Sequence, residues 1–262
     1  MRVLFFGDVV GIEAVRHLAA RIPQWRREAA ADLVIANAEN AVVSRPESVQ
    51  RGFGTSDEAV DLLLGAGVDV LTGGNHSWDA PDADRVLRRP RVLRPMNLLE
   101  DLPGTGIERL VRAGRRVAVV NLIGRSAAHP HITARDPVEA FASLSFEDDE
   151  LVIVDFHAEM VTEKHAFAFA ADGQAAAVVG THTHEPSLLM HRLPLGTLFC
   201  ADAGMNGPSG GIVGIAHEVF VRRLRGADAG PFALAGGPFQ LGAVLMDLGD
   251  EPRMERFWPS AA

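Results

Sequence analysis

Short apolar runs punctuate the chain at Val3–Phe6, Leu33–Ala36, Val68–Leu71, Val117–Ile123, Leu151–Phe156, Ala175–Val179, Thr197–Cys200 and Gly242–Met246. Each is four to eight residues long, rich in Val, Ile, Leu or Phe, and bounded by Gly, Asp, Asn or Pro. Such runs predict strands covered on both faces. Between them, Glu13–Ala30 repeats apolar residues at three-to-four spacing and predicts a helix. Ser56–Gly65 opens with Ser-Asp-Glu, a helix start, and Pro137–Ser143 is a shorter helical stretch. The early order of strand, helix, strand, helix, strand predicts an α/β layer. From Thr181 onward, strand-like runs separated by Gly- and Pro-rich turns dominate. No linker, repeat or low-complexity block divides the chain, so residues 1–262 read as a single domain.

Polar residues gather where the apolar runs end. The first run ends in Gly7-Asp8, the second in Asn37-Ala38-Glu39-Asn40, and the third in Gly73-Gly74-Asn75-His76 with Asp79 beyond. The run at Leu151 ends in Asp155-Phe156-His157-Ala158-Glu159, and that at Ala175 in Gly180-Thr181-His182-Thr183-His184. In an open α/β sheet, ligands sit just beyond the carboxyl ends of strands. Singly, these residues have ordinary explanations: Asp8 as a helix cap, Asn40 as a turn residue, His157 as a core histidine. Together they deliver Asp, Glu, Asn and His to one edge. In an extended segment His182 and His184 point to the same side, so both reach one centre.

Carboxylate, amide oxygen and imidazole suit divalent Mn, Fe or Zn, and no thiolate is on offer. Three histidines, two carboxylates and two amides exceed the needs of one tetrahedral ion. They fit two ions sharing a carboxylate, an arrangement that clamps a phosphoryl group.

Composition narrows the classes. Apolar residues make up 47% and charged residues 23%, a globular balance. Lys+Arg is 25 against Asp+Glu 34, a formal charge of −9, which argues against a surface that coats nucleic acid. Twenty-four of the 25 basic residues are arginine. The arginine-rich stretch Arg85–Arg94 reads as a solvated helix end. One cysteine, Cys200, permits no internal disulfide and suits a reducing, cytoplasmic setting. The opening MRVLFFGDVVG is interrupted by Asp8 and Gly11 and reads as a buried strand rather than a signal peptide. No uninterrupted apolar stretch approaches ~20 residues, so no membrane span is expected.

The same residues resemble the calcineurin-like metallophosphoesterase signature. More narrowly, GDVVG (7–11), NAEN (37–40), GGNHSWD (73–79), DFHAE (155–159), EKHA (163–166), VVGTHTHEP (178–186) and DAGMNGP (202–208) are similar to the bacterial YmdB-type branch, in the same order over nearly the whole chain. The resemblance implies a four-layer α/β/β/α sandwich with two mixed sheets packed face to face. It implies a two-metal phosphodiesterase, iron- or manganese-loaded, acting on 2′,3′-cyclic nucleotides. By position, one metal takes Asp8, Glu39, Asn40 and His184, and the second takes Glu39, Asn75, His157 and His182. Glu39 bridges where the broader superfamily uses Asp. Val10 stands where that superfamily has a histidine ligand, and Asn40 replaces it.

His76 is implied as general acid, protonating the departing sugar oxygen while a metal-bridging hydroxide attacks phosphorus from the opposite side. Asp79 either orients His76 or forms a turn. Arg125 is a candidate phosphate grip. Thr181, Thr183 and the Gly204–Gly207 turn are expected to shape the cleft, and Asp79 and Thr181 are further candidates for substrate contact. Glu159 is placed behind the metal ligands. His129 and His131 flank Pro130 in a mobile loop expected near the site, as solvent-exposed rather than catalytic histidines. The alternatives are a broad-specificity phosphomonoesterase on the same dinuclear site and a non-catalytic, metal-dependent regulatory binding protein. The implied partner is a small phosphodiester or cyclic nucleotide. An RNA-linked regulatory role and homo-oligomerisation stay open.

Overall fold

A computed structural model describes residues 1–43, 53–127, 129 and 132–259. In chain order, β1 (Arg2–Phe6) leads to α1 (Ile12–Glu28), β2 (Leu33–Asn37), α2 (Asp57–Gly65), β3 (Val70–Thr72) and the short α3 (Ala83–Val86). Then come β4 (Ile107–Arg112), β5 (Arg115–Ile123), α4 (Pro137–Ala142), β6 (Leu151–His157), α5 (Val161–Ala170), β7 (Ala177–Thr181), β8 (Met190–Arg192) and β9 (Leu198–Cys200). The chain closes through β10 (Gly207–Pro208), α6 (His217–Leu224), β11 (Phe239–Gln240), β12 (Ala243–Asp247) and β13 (Arg253–Arg256).

Among the described residues, one sheet has the order β13-β12-β1-β2-β3, with β1, β2 and β3 parallel and the two C-terminal strands antiparallel. The second has the order β4-β5-β6-β7-β9-β8, a parallel centre with an antiparallel strand at each edge. Both sheets are therefore mixed.

Alternation along each strand explains why the apolar runs are unbroken. In β1, Leu4 and Phe6 pack into the layer that holds α1 and α2, whereas Val3 and Phe5 pack against the second sheet. In β6, Ile153 joins the inter-sheet core, while Val152, Val154 and Phe156 pack with Phe141 of α4 and Phe167 of α5. The layers are thus α/β/β/α, as expected. Each fully buried Leu, Ile, Val or Phe contributes about 1.5–3 kcal/mol.

The predicted helices form where expected. Ser56 caps α2 by accepting from Ala59 N, and Asp136 caps α4 by accepting from Val138 N and Glu139 N, with Pro137 at the first helical position. Other elements depart from the sequence reading. β4, Ile-Glu-Arg-Leu-Val-Arg without an unbroken apolar run, is an edge strand that pairs with β5. The Phe167-Ala-Phe169 alternation inside α5 mimics a strand, but the segment is helical, burying Phe167 and leaving Phe169 exposed. α6 interrupts the region expected to be mostly strands. Arg85 pairs with Asp57 and Asp82, and Arg89 with Asp57 and Asp61, so much of the charge of the arginine-rich stretch is compensated locally. Among the described residues, no helix is long and apolar enough to cross a membrane.

The register places the carboxyl ends of parallel strands side by side. Phe6 pairs with Ala36 and Ile35 with Val70 in one sheet; Ile123, His157 and Thr181 align in the other. The polar strand ends of both sheets therefore meet along one edge.

Candidate metal centre

Seven polar residues expected as ligands converge at this edge. Asp8 follows β1, Glu39 and Asn40 follow β2, and Asn75 follows β3. His157 ends β6, and His182 and His184 follow β7. His157 Nε2 is the crowded point: Asn75 Oδ1 lies 2.8 Å away, His182 Nδ1 2.9 Å and Glu39 Oε1 3.2 Å. On the other side of Glu39, Asn40 Nδ2 lies 3.1 Å from Glu39 Oε1 and 3.3 Å from His184 Nε2. Asp8 Oδ1 stands 3.7 Å from His184 Nε2. Glu39 is thus shared between an Asp8–Asn40–His184 group and an Asn75–His157–His182 group.

Lone pairs in this cluster outnumber protons. Asp8 Oδ1 and Asn40 Oδ1 are buried without a hydrogen-bond partner among the described residues. Two imidazole nitrogens face each other 2.9 Å apart, with an amide oxygen beside them. A buried acceptor without a donor is costly, and a cation satisfies several at once. The donor set fits two divalent ions.

The ionisation behaviour has the same origin. Burial disfavours a charge on His157, but the carboxylates of Glu39, Asp8 and Asp155 outweigh it and raise the imidazole to about 9. Burial and the neighbouring His157 charge push His182 down to about 2. Burial also raises Glu39, yet His157, His76 and His182 together hold it below the usual carboxylate range. Asp8 is raised, chiefly by burial. The pair of facing imidazoles therefore holds its proton on His157, at a place a cation would take.

Supporting groups fix the ring orientations. His184 Nδ1 donates to Val213 O at 2.9 Å, leaving Nε2 as the donor atom for a metal. His157 Nδ1 lies 2.9 Å from Thr181 Oγ1, whose hydroxyl donates to Asp155 Oδ1 at 2.7 Å. Asp155 also accepts from Thr72 Oγ1 and from Asn37 Nδ2, and burial raises it to about 6. Gly74 closes over the cluster: a Cβ there would lie 2.3 Å from both Glu39 Oε2 and His157 Nε2.

A cleft of about 610 Å³ opens over the cluster, walled by His76, His129, Phe53, Phe232 and Arg223 among others. His76 stacks on Phe53 with ring centroids 4.2 Å apart, and its Nδ1 lies 2.9 Å from Asp79 Oδ2. Asp79 Oδ1 also lies 3.2 Å from His129 Nε2. Burial would raise Asp79, but bonds from His129 and His76 lower it to about 2, so it stays ionised.

Several expectations change. Thr181 is fully buried beneath His157 and does not line the cleft. Its place inside β7, one residue short of the turn, turns the hydroxyl to the interior. Asp79 is buried against His76, with Oδ2 2.9 Å from His76 Nδ1, and does not line the cleft. Arg125 points away from the cleft, 63% exposed and 3.6 Å from Asp136, in a separate cavity. Glu159 Oε2 lies 3.0 Å from His182 Nε2, but its side chain is 60% exposed and lines the cleft rather than lying buried behind His157. His129 is not a solvated loop histidine but part of the cleft wall; His131 lies outside the described residues. Phe53, Phe232 and Arg223 carry no local motif, and only the tertiary fold places them here.

The chain matches the family described as YmdB-like protein over residues 4–257. It is 33% identical over 254 residues to a Bacillus subtilis (strain 168) protein named 2′,3′-cyclic-nucleotide 2′-phosphodiesterase, covering 97% of this chain and 93% of that one. A hypothetical protein from Thermus thermophilus superposes with a TM-score of 0.85 at 36% identity, covering 97% of this chain and 99% of that one. A Mycoplasma pneumoniae structure described as a novel phosphatase gives 0.87 at 31% identity, covering 97% and 92%.

Proposed function

This chain belongs to the YmdB-like protein family, and on that premise we propose that it is a two-metal phosphodiesterase hydrolysing 2′,3′-cyclic nucleotides. The observation that carries the reading is Glu39, set between two groups of imidazole, amide and carboxylate donors under an open cleft. Asp8, Asn40 and His184 would hold one ion with Glu39; Asn75, His157 and His182 would hold the other. Imidazole and oxygen donors without thiolate suit manganese, iron or zinc, and of these the family resemblance implies iron or manganese. When bound, two such ions supply a nucleophilic water at neutral pH and offset charge on the phosphoryl oxygens.

The chain's own residues do the rest. Asp79 holds His76 by Nδ1, which leaves Nε2 as the ring nitrogen available to the cleft. Nε2–H donates its proton to the ribose oxygen as the ester bond breaks. Phe53 keeps the imidazole plane fixed by stacking. Phe232 and Arg223 extend the wall away from the centre and offer an aromatic face and a cation to the rest of the nucleotide.

The test is elemental analysis of purified, unchelated protein, followed by assay of the same sample on 2′,3′-cAMP. Near two transition metals per chain with hydrolysis is the expected result. Two metals with faster turnover of p-nitrophenyl phosphate than of its bis-ester would favour a phosphomonoesterase instead. Metal without turnover of any phosphoester would overturn the enzymatic reading.

A further inference from the structure

The stretches Glu163–Ala166 and Asp202–Gly204 supply no ligand, and the chemistry above uses neither. They meet in the interior. Lys164, the only lysine in the chain, projects from α5 with no exposed surface, and its Nζ lies 2.7 Å from Asp202 Oδ2. The same oxygen accepts from Thr183 N at 3.1 Å and from Thr183 Oγ1 at 2.7 Å. Asp202 Oδ1 accepts from Gly204 N at 2.8 Å. Thr183 is the middle residue of His-x-His. Its neighbours His182 and His184 have φ values of 97° and 65°, a left-handed backbone that residues bearing a Cβ adopt only when their surroundings impose it.

Asp8 Oδ2 accepts from His182 N and Met205 N donates to His184 O, while Asp202 holds the residue between them. Four donors reach the Asp202 carboxylate, more than the single oxygen of an amide can accept. The lysine neutralises a charge that would otherwise be buried alone. A slim stem ending in a point charge suits the route: a Cβ at Gly180 would lie 3.1 Å from Lys164 Cδ and 1.9 Å from Ala201 O. A planar guanidinium is broader, which accounts for a lysine here in a chain that otherwise uses arginine.

We propose that the Lys164–Asp202 pair is a positioning device for the metal centre, gripping Thr183 so that His182 and His184 keep the backbone that aims both imidazoles at the cations. The proposal rests on the two-metal reading.

The test titrates chelator-stripped full-length protein with Mn²⁺ and records the melting temperature of the same stripped samples. Asp202→Asn is expected to weaken Mn²⁺ binding by about 10–100-fold, the usual cost of losing a group that orients a ligand. The double variant Lys164→Met/Asp202→Asn removes the buried charges together. It is expected to recover melting temperature relative to Lys164→Met without recovering Mn²⁺ affinity. Should Asp202→Asn not fold, Thr183→Ala, which removes only the hydroxyl donor, is expected to weaken Mn²⁺ binding several-fold. Unchanged Mn²⁺ affinity in the folded variants, or affinity restored together with melting temperature in the double variant, would leave the pair a stability element and overturn the proposal. Wild-type protein that binds no Mn²⁺ would overturn the two-metal reading itself, and this proposal with it.

Discussion

His76 Nδ1 and Asp79 Oδ2 lie 2.9 Å apart, and that one contact decides which nitrogen of His76 faces the cleft. The carboxylate is ionised, so it accepts a hydrogen bond from Nδ1–H and leaves Nε2–H of the imidazolium free for the cleft. His76→Ala is expected to lower kcat for 2′,3′-cAMP by about 10²–10⁴-fold, the range for loss of a general acid, with metal content unchanged. Asp79→Asn is expected to lower it by a smaller factor. Bis-p-nitrophenyl phosphate has a leaving group that needs little protonation, so both losses should shrink on it. Equal losses on the two substrates would remove the general-acid assignment.

Metal uptake should release a proton. His157 is held at about 9 and His182 at about 2, so at pH 7.5 the stripped centre carries its proton on His157. Binding requires neutral imidazole, so that proton must leave. The sign follows: affinity climbs roughly tenfold per pH unit as pH rises toward 9 and levels off above it. Calorimetry in two buffers of different ionisation enthalpy measures the proton count. A heat independent of buffer would contradict the assignment.

Thr181 should govern metal retention rather than substrate affinity. Its hydroxyl donates to Asp155 and so presents a lone pair to His157 Nδ1–H. Thr181→Val keeps the shape and removes that acceptor. Metal affinity is expected to fall about 10–100-fold while KM, measured at saturating metal, stays put. A raised KM with intact metal content would return Thr181 to the cleft.

The two arginines considered as anion grips should behave oppositely. Arg125 faces Asp136 outside the cleft, and Arg125→Ala should leave kcat/KM for 2′,3′-cAMP unchanged. Arg223 lies with its guanidinium carbon 4.5 Å from the Phe232 ring centroid and lines the cleft. A hydrogen bond to a charged group is worth about 1.5–3 kcal/mol, so Arg223→Ala is expected to raise KM by roughly tenfold or more, with kcat little changed. Steady-state kinetics on the two variants separates the cases, and the reverse pattern would reinstate Arg125.

Periodicity and strand-end chemistry were legible in the linear chain because both are local. Doubly covered strands must be apolar on both faces, so β1, β2, β5, β6 and β7 read directly as unbroken runs, and parallel strands must present their ends together. That was enough to gather the strand-end clusters at one edge, and the family resemblance then singled out Asp8, Glu39, Asn40, Asn75, His157, His182 and His184 within them. The tertiary structure decided what no local pattern encodes. It made β4 an edge strand and turned the Thr181 hydroxyl inward to His157. It brought Phe53, Phe232 and Arg223 from distant segments to one wall, and carried Lys164 and Asp202 together behind the ligand loop. A side chain's neighbours across sheets depend on how two layers pack, and that packing depends on the whole core rather than on any stretch of residues within it.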